Sequence, residues 1–182
     1  ESKKRFNKFI KNKNSLDADL QEPVFVLTAW QGDQKTHSKL TSLYKKAILQ
    51  EEKMRFLTAL CSFKQKNLLI KTLNFSLTSD VRSQNIRVPI MNIAANVYGK
   101  NILWPWLKKY WKNLVKKFGV GNPLANRIVA SVGGVVEDKQ EKEVRTFFKR
   151  NPMPGTERIL EQTLERVRIR SKFLQQIKKE FI

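Results

Sequence analysis

The sequence predicts an all-α chain of about ten helices stacked as a helical-repeat solenoid. Three observations predict it. Helix-breaking clusters recur about every 16 to 20 residues along the chain. No segment sustains the period-2 alternation of a half-buried strand; Val24 to Leu27 is the one strand-like run, and it also continues into a helix with Trp30. Residues 96–119, NVYGKNILWPWLKKYWKNLVKKFG, carry an amphipathic helical pattern with three of the four tryptophans and six lysines.

The breaks fall at Asn14-Ser15, Gly32-Asp33, Gln50, Lys64 to Lys66, Thr78 to Asp80, Gly99, Gly119 to Pro123, Gly133-Gly134 and Asn151 to Gly155. Asp17, Asp33, Asn122, Asp138 and Thr156 stand where N-caps belong, because a short side-chain oxygen can accept a free first-turn amide. Two breaks make a helix pair of about 35 residues, near the period of helical-repeat proteins. The expected apolar faces are Leu40, Leu43, Tyr44, Ala47 and Ile48, then Met54, Leu57, Leu60 and Cys61. A long last helix carries Leu160, Leu164, Val167, Phe173, Leu174, Ile177 and Phe181. No linker or low-complexity segment appears, so residues 1–182 are expected to form one domain.

In the central helix the apolar residues fall in pairs four apart: Ile102/Leu103, Trp106/Leu107, Tyr110/Trp111, Leu114/Val115, then Phe118. Each four-residue step overshoots a turn by ~40°, so the stripe rotates and needs different neighbours at its two ends. Trp106, Trp111, Leu114 and Phe118 are its expected core anchors. Pro105 requires the helix to start near Lys100 or Asn101. A basic, Trp-bearing helix also suits a membrane surface, but the flanking chain offers ample apolar partners for burial.

Charge narrows the function classes. The net charge is +20, and from Val81 to Val136 nine Lys and Arg face no Asp or Glu. From Glu137 onward eight acidic residues mix with twelve basic ones at helix-pairing distances. Nucleic acid or another polyanion is therefore a possible class of partner. No run approaches the length of a transmembrane helix. The chain opens with Glu1 rather than Met and shows no signal-peptide pattern, which predicts a piece of a longer chain or a processed product. One cysteine, Cys61, excludes an internal disulfide and leans towards the cytoplasm.

Catalytic chemistry has little to stand on. A hydrolytic zinc site needs ligands one turn apart, as in H-E-x-x-H, and this chain has one histidine, His37. His37 reads as a surface residue near a helix start, and Cys61 as core. Gly119-Val-Gly121 and Gly133-Gly134 follow no strand, so neither reads as a phosphate loop. The chain by itself is expected to bind no metal and catalyse nothing.

Several stretches in order resemble a known domain: LDADLQEPVF (16–25), YKKAILQEEKMRFLTAL (44–60), VRSQNI (81–86), NVYGKNILWPWLKKYWKNL (96–114) and GTERILEQTLE (155–165). Together they resemble the C-terminal α-helical domain of the gluzincin zinc aminopeptidases, the family of aminopeptidase N, the endoplasmic-reticulum aminopeptidases and the tricorn-interacting factors. Asn85 stands where that family usually has Asp, Tyr110 where it tends to Asn, and Phe173 where Trp is common. The resemblance implies a right-handed α-α superhelix of paired antiparallel helices, like HEAT repeats. It implies a role capping the peptide chamber of a zinc aminopeptidase that trims oligopeptides, with the zinc held in the catalytic domain of the same chain. Arg82, Arg127 and Arg158 are the candidates for holding a peptide's C-terminal carboxylate, since guanidinium binds carboxylate through two parallel hydrogen bonds. The bland reading has Arg82 and Arg158 tie helix ends together, through carbonyls or by pairing with Asp80 or Glu161. The competing function is a free-standing basic helical module binding nucleic acid or acidic proteins.

Overall fold

The computed structural model describes residues 1–118 and 123–181. Ten α-helices and no strand occur among the described residues. They divide into two compact units, residues 1–98 and 99–182.

The first unit holds α1 (Ser2–Lys11), α2 (Ala18–Trp30), α3 (Gln34–Lys46), α4 (Gln50–Leu60), α5 (Lys66–Ser76) and α6 (Arg87–Ala95). Helix α4 is its centre, packed against α2, α3 and α6. Phe25 of α2 stacks on Phe56 of α4, with ring centres 5.0 Å apart, while Phe6 and Phe9 of α1 close on Phe25 at 5.6 and 4.9 Å. Asp33 caps α3 by accepting the Thr36 amide at 2.9 Å. Asn96 has a longer reach: its Nδ2 donates to the carbonyls of Cys61 and Phe63, 2.9 and 3.0 Å away, closing the end of α4. Asn96 is thus a distant helix cap.

The second unit holds α7 (Lys100–Phe118), α8 (Leu124–Val132), α9 (Glu141–Arg150) and α10 (Glu157–Phe181). Trp104, Trp106, Trp111, Leu103, Leu107 and Leu114 are buried along α7, and the Phe118 side chain lies outside the described part. Burial of the tryptophan face removes the apolar surface that a membrane-bound α7 would need. The amides of Ile102 and Leu103 donate to the Gly99 carbonyl, so the helix starts at Lys100. Pro105 is therefore its sixth residue, beyond the first turn, and deprives the Asn101 carbonyl of its i+4 donor. Asn101 is exposed and water can serve it. Pro23 occupies the same sixth position in α2, where the orphaned carbonyl belongs to exposed Asp19. Gly133 ends α8 so close to α10 that a Cβ would meet Thr163 Cγ2 at 2.8 Å. Gly155 opens α10 at φ 86°, a region that favours glycine.

Three apolar expectations need correction. Ile48 lies outside α3 and is 92% exposed, because the helix ends at Lys46 and Ala47 turns extended. Of the apolar residues expected on α10, Leu164 and Val167 are buried, Leu160 and Ile177 half-buried, and Phe173 and Leu174 exposed. The Phe181 side chain lies outside the described part.

Trp111 packs edge-on against Phe148 at 5.1 Å and its indole N–H donates to the Asn151 carbonyl at 3.2 Å. Trp111→Ala should cost about 3–5 kcal/mol of stability. Urea unfolding reads this loss. An unchanged midpoint with diminished liposome binding would mean that the indole serves a membrane and not the core.

Candidate functional site

The second unit contains a groove of ≈ 570 Å³ where α9, the 151–156 loop and the start of α10 meet. Its floor is built from the core outward. Phe148 is buried because Trp104 and Trp111 pack on it, and Met153 is buried at the turn that the Pro152 and Pro154 kinks force. The Thr156 hydroxyl donates to the Met153 carbonyl at 2.7 Å and Glu157 accepts the Gly155 amide at 3.0 Å, so the loop enters α10 in one defined path.

The rim is charged. Arg145 makes two hydrogen bonds to Glu161, at 2.5 and 2.9 Å, and a third to Glu141 at 2.7 Å. This guanidinium holds the Glu161 carboxyl below its ordinary range. Lys149 and Arg158 are exposed on the same rim. An apolar floor beneath two cations can take a ligand with an apolar body and an anionic end.

The three arginines singled out by sequence occupy different places. Arg158 lines the groove. Arg127 is exposed on α8, the helix packed on α10. Arg82 is exposed in the first unit, at the start of the short 3-10 turn Ser83–Asn85. Their proposed carboxylate partners are taken by others: Asp80 pairs with Lys45 at 2.8 Å, and Glu161 with Arg145. Lys149 and the Phe148–Met153 floor were missed from sequence. The signal was the Pro-x-Pro-Gly stretch, legible as a helix break but not as a wall.

His37 is not a surface residue: it is 5% exposed, its Nε2 lies 3.0 Å from Thr72 Oγ1, and its ring rests on Phe63. The Thr72 hydroxyl has the Leu60 and Leu68 carbonyls at 2.9 and 3.1 Å as acceptors, so the imidazole is the donor to Thr72 Oγ1. Burial, and secondarily the Lys71 charge, lower its pKa from 6.5 to about 4. The Cys61 thiol donates to the Leu57 carbonyl at 3.1 Å, and burial pushes its pKa up. Both groups are thus committed within the core and do not fit a zinc site. Among the described residues no three His, Cys, Asp or Glu side chains gather to hold a metal. No helix among them is long and apolar enough to cross a membrane.

The lowered His37 pKa has a definite sign. Above pH 6.5 the imidazole is neutral in both states, whereas between 6.5 and 4 the unfolded chain binds the extra proton. Stability is lost as pH falls through that window, by about 3 kcal/mol at most. Urea unfolding at pH 7, 5 and 4 should show a steeper loss for the native chain than for His37→Gln; parallel profiles would refute the assignment.

Comparison with known proteins connects this architecture to a family. The ERAP1-like C-terminal domain matches residues 1–169, through both units and the groove. Aminopeptidase M1-B of Oryza sativa subsp. japonica and Aminopeptidase M1 of Arabidopsis thaliana are each 29% identical over 99% of this chain and 21% of their own length. The alanine/arginine aminopeptidase of Saccharomyces cerevisiae is 25% identical over 90% of the chain and 19% of its own length. The chain thus spans about a fifth of these curated relatives. With one domain description running through nearly all of it, this chain belongs to the ERAP1-like C-terminal domain family.

Proposed function

We propose that this chain is the substrate-capping C-terminal domain of a zinc-dependent aminopeptidase that trims N-terminal residues from oligopeptides. The observation that carries the reading is the domain match over residues 1–169, together with relatives that are named aminopeptidases. In this reading residues 1–182 act as one domain, and its partner is the catalytic domain of the same polypeptide. That domain holds the zinc and performs the hydrolysis, in the cytoplasm. The helical chain contributes walls and charge to the peptide chamber.

Arg82, Arg127 and Arg158 are the proposed contacts for the peptide's free carboxylate. Arg158 has the best geometric support, standing with Lys149 above the apolar floor of Phe148 and Met153. A charge-assisted hydrogen bond of this kind contributes about 1.5–3 kcal/mol. In the full-length enzyme, a free-acid oligopeptide should therefore show a KM roughly ten- to hundredfold below that of its C-terminal amide at low salt. Arg158→Ala should erase the difference while hydrolysis of aminoacyl fluorophores is unchanged. Equal KM values for acid and amide would remove the carboxylate role. Absence of any peptidase activity in the full-length protein would remove the capping reading itself.

One observation favours a second reading, a polyanion-binding module. Lys109, Lys112 and Lys116 are exposed along one face of α7, opposite its buried tryptophans. Fluorescence anisotropy with a labelled RNA at physiological salt separates the two: submicromolar, length-dependent binding supports the module.

A further inference from the structure

The first half of α10 is seated and the second half is not. Leu164 and Val167 are buried where α10 packs on α8, and Thr163 approaches Gly133. Arg168 pairs with Glu141 at 2.9 Å and Arg170 donates to the Val136 carbonyl at 2.8 Å. Beyond these ties the helix continues to Phe181 with Phe173 58% and Leu174 49% exposed and Ile177 half-buried. At 100° per residue these three fall within about 100° of one another, roughly a quarter-turn from the seated face. Leu174 also walls a cleft of ≈ 320 Å³ with Val167, Arg170 and Lys178 on α10 and Glu137 and Asp138 facing them. Single exposed apolar side chains are ordinary, but three within two turns beside a cleft form a continuous ridge.

We infer that the Phe173–Leu174–Ile177 ridge is the docking surface for the remaining part of the same polypeptide, through an apolar patch flanked by acidic residues. This rests on the reading of the chain as one domain of a longer aminopeptidase. Three observations select that occupant. The relatives carry about four-fifths of their length outside the matched region, and a tethered neighbour presents itself at about millimolar effective concentration. A second copy is disfavoured by charge: residues 165–181 hold six Lys and Arg against two Glu, so two such helices repel. A bilayer is disfavoured by extent, since exposed Ile169 adds only a fourth apolar side chain to the ridge, and four over little more than two turns bury little surface in lipid. The surplus cations define the complement, an acidic rim around an apolar centre.

The test uses cysteine labelling, for which the chain is suited because its one cysteine, Cys61, is buried. Leu174→Cys is introduced into the 182-residue chain and into the full-length polypeptide, and alkylation at that peptide is followed by mass spectrometry at micromolar concentration. The expected result is rapid labelling in the free chain and labelling at least tenfold slower in the full-length protein. Lys179→Cys, exposed on the side of α10 turned away from the ridge, should label equally in both. Adding Phe173→Glu and Ile177→Glu to the full-length protein should restore the fast rate, with circular dichroism confirming that helix is retained. Equal Leu174→Cys rates in the two proteins would overturn the inference. So would slowing in the free chain that grows with its concentration, the mark of a second copy, or slowing that requires anionic phosphatidylserine vesicles. Aminoacyl-fluorophore hydrolysis by the same full-length sample reports separately on the capping reading.

Discussion

The second unit depends on one aromatic seam. Trp104 and Trp111 stand seven residues apart on α7 and both rest on the Phe147–Phe148 pair of α9, with ring centres between 5.1 and 6.2 Å. Neither indole sacrifices its N–H, for Glu143 and the Asn151 carbonyl each accept one at 3.2 Å. Edge-to-face pairs of this kind add about 0.5–1.5 kcal/mol each beyond the area they bury. The seam also fixes the groove. Phe148, its floor, is the ring Trp111 meets edge-on, and Asn151, where the loop leaves α9, is the residue whose carbonyl Trp111 holds. The groove is therefore an outer layer of the core and inherits its rigidity.

Charge sets the field around this frame more than it stabilises it. Four of the eight acidic residues from Glu137 onward are drawn into ion pairs: Glu137 with Lys139, Glu141 with Arg145 and Arg168, Glu143 with Lys108, and Glu161 with Arg145. Exposed pairs contribute about 0–1 kcal/mol each, so their consequence is spatial. They neutralise the flank of α9 and leave Lys109, Lys112 and Lys116 on the outer face of α7 as an unmixed row of cations. At +20 the chain attracts anions over about a Debye length, ~8 Å at physiological salt.

What was legible in the sequence was local. Gly32-Asp33, Gly99 and Asn151 to Gly155 mark helix boundaries because capping and φ preferences act within a few residues, and the four-residue rhythm of α7 marks Leu103, Trp106, Leu107, Trp111 and Leu114 for burial while passing over buried Trp104. The misread residues depend on distant neighbours. His37 is enclosed because Thr72, 35 residues away, supplies an acceptor and Phe63 a ring. Ile48 is exposed because α3 stops two residues earlier than its apolar pattern. Asn96 sits in a recognisable motif, yet its task lies more than 30 residues back at the end of α4. The groove was invisible for a related reason: a proline-rich break says where a helix ends, not which side chains the turn brings together.

Helix α10 joins the groove to the Phe173–Leu174–Ile177 ridge. From Glu157 to Phe181 it runs without glycine or proline, so nothing in its sequence favours a hinge. Arg158 in the groove and Leu174 on the ridge are then separated by about 24 Å of continuous helix. Between them Leu164 and Val167 are buried, and Thr163 meets Gly133 at a distance that leaves no room for a Cβ. A helix held this tightly near its middle keeps the spacing and orientation of its two ends fixed. A partner docked on the ridge, as proposed, would thereby fix which way the groove faces, with the close approach at Gly133 coupling the two ends.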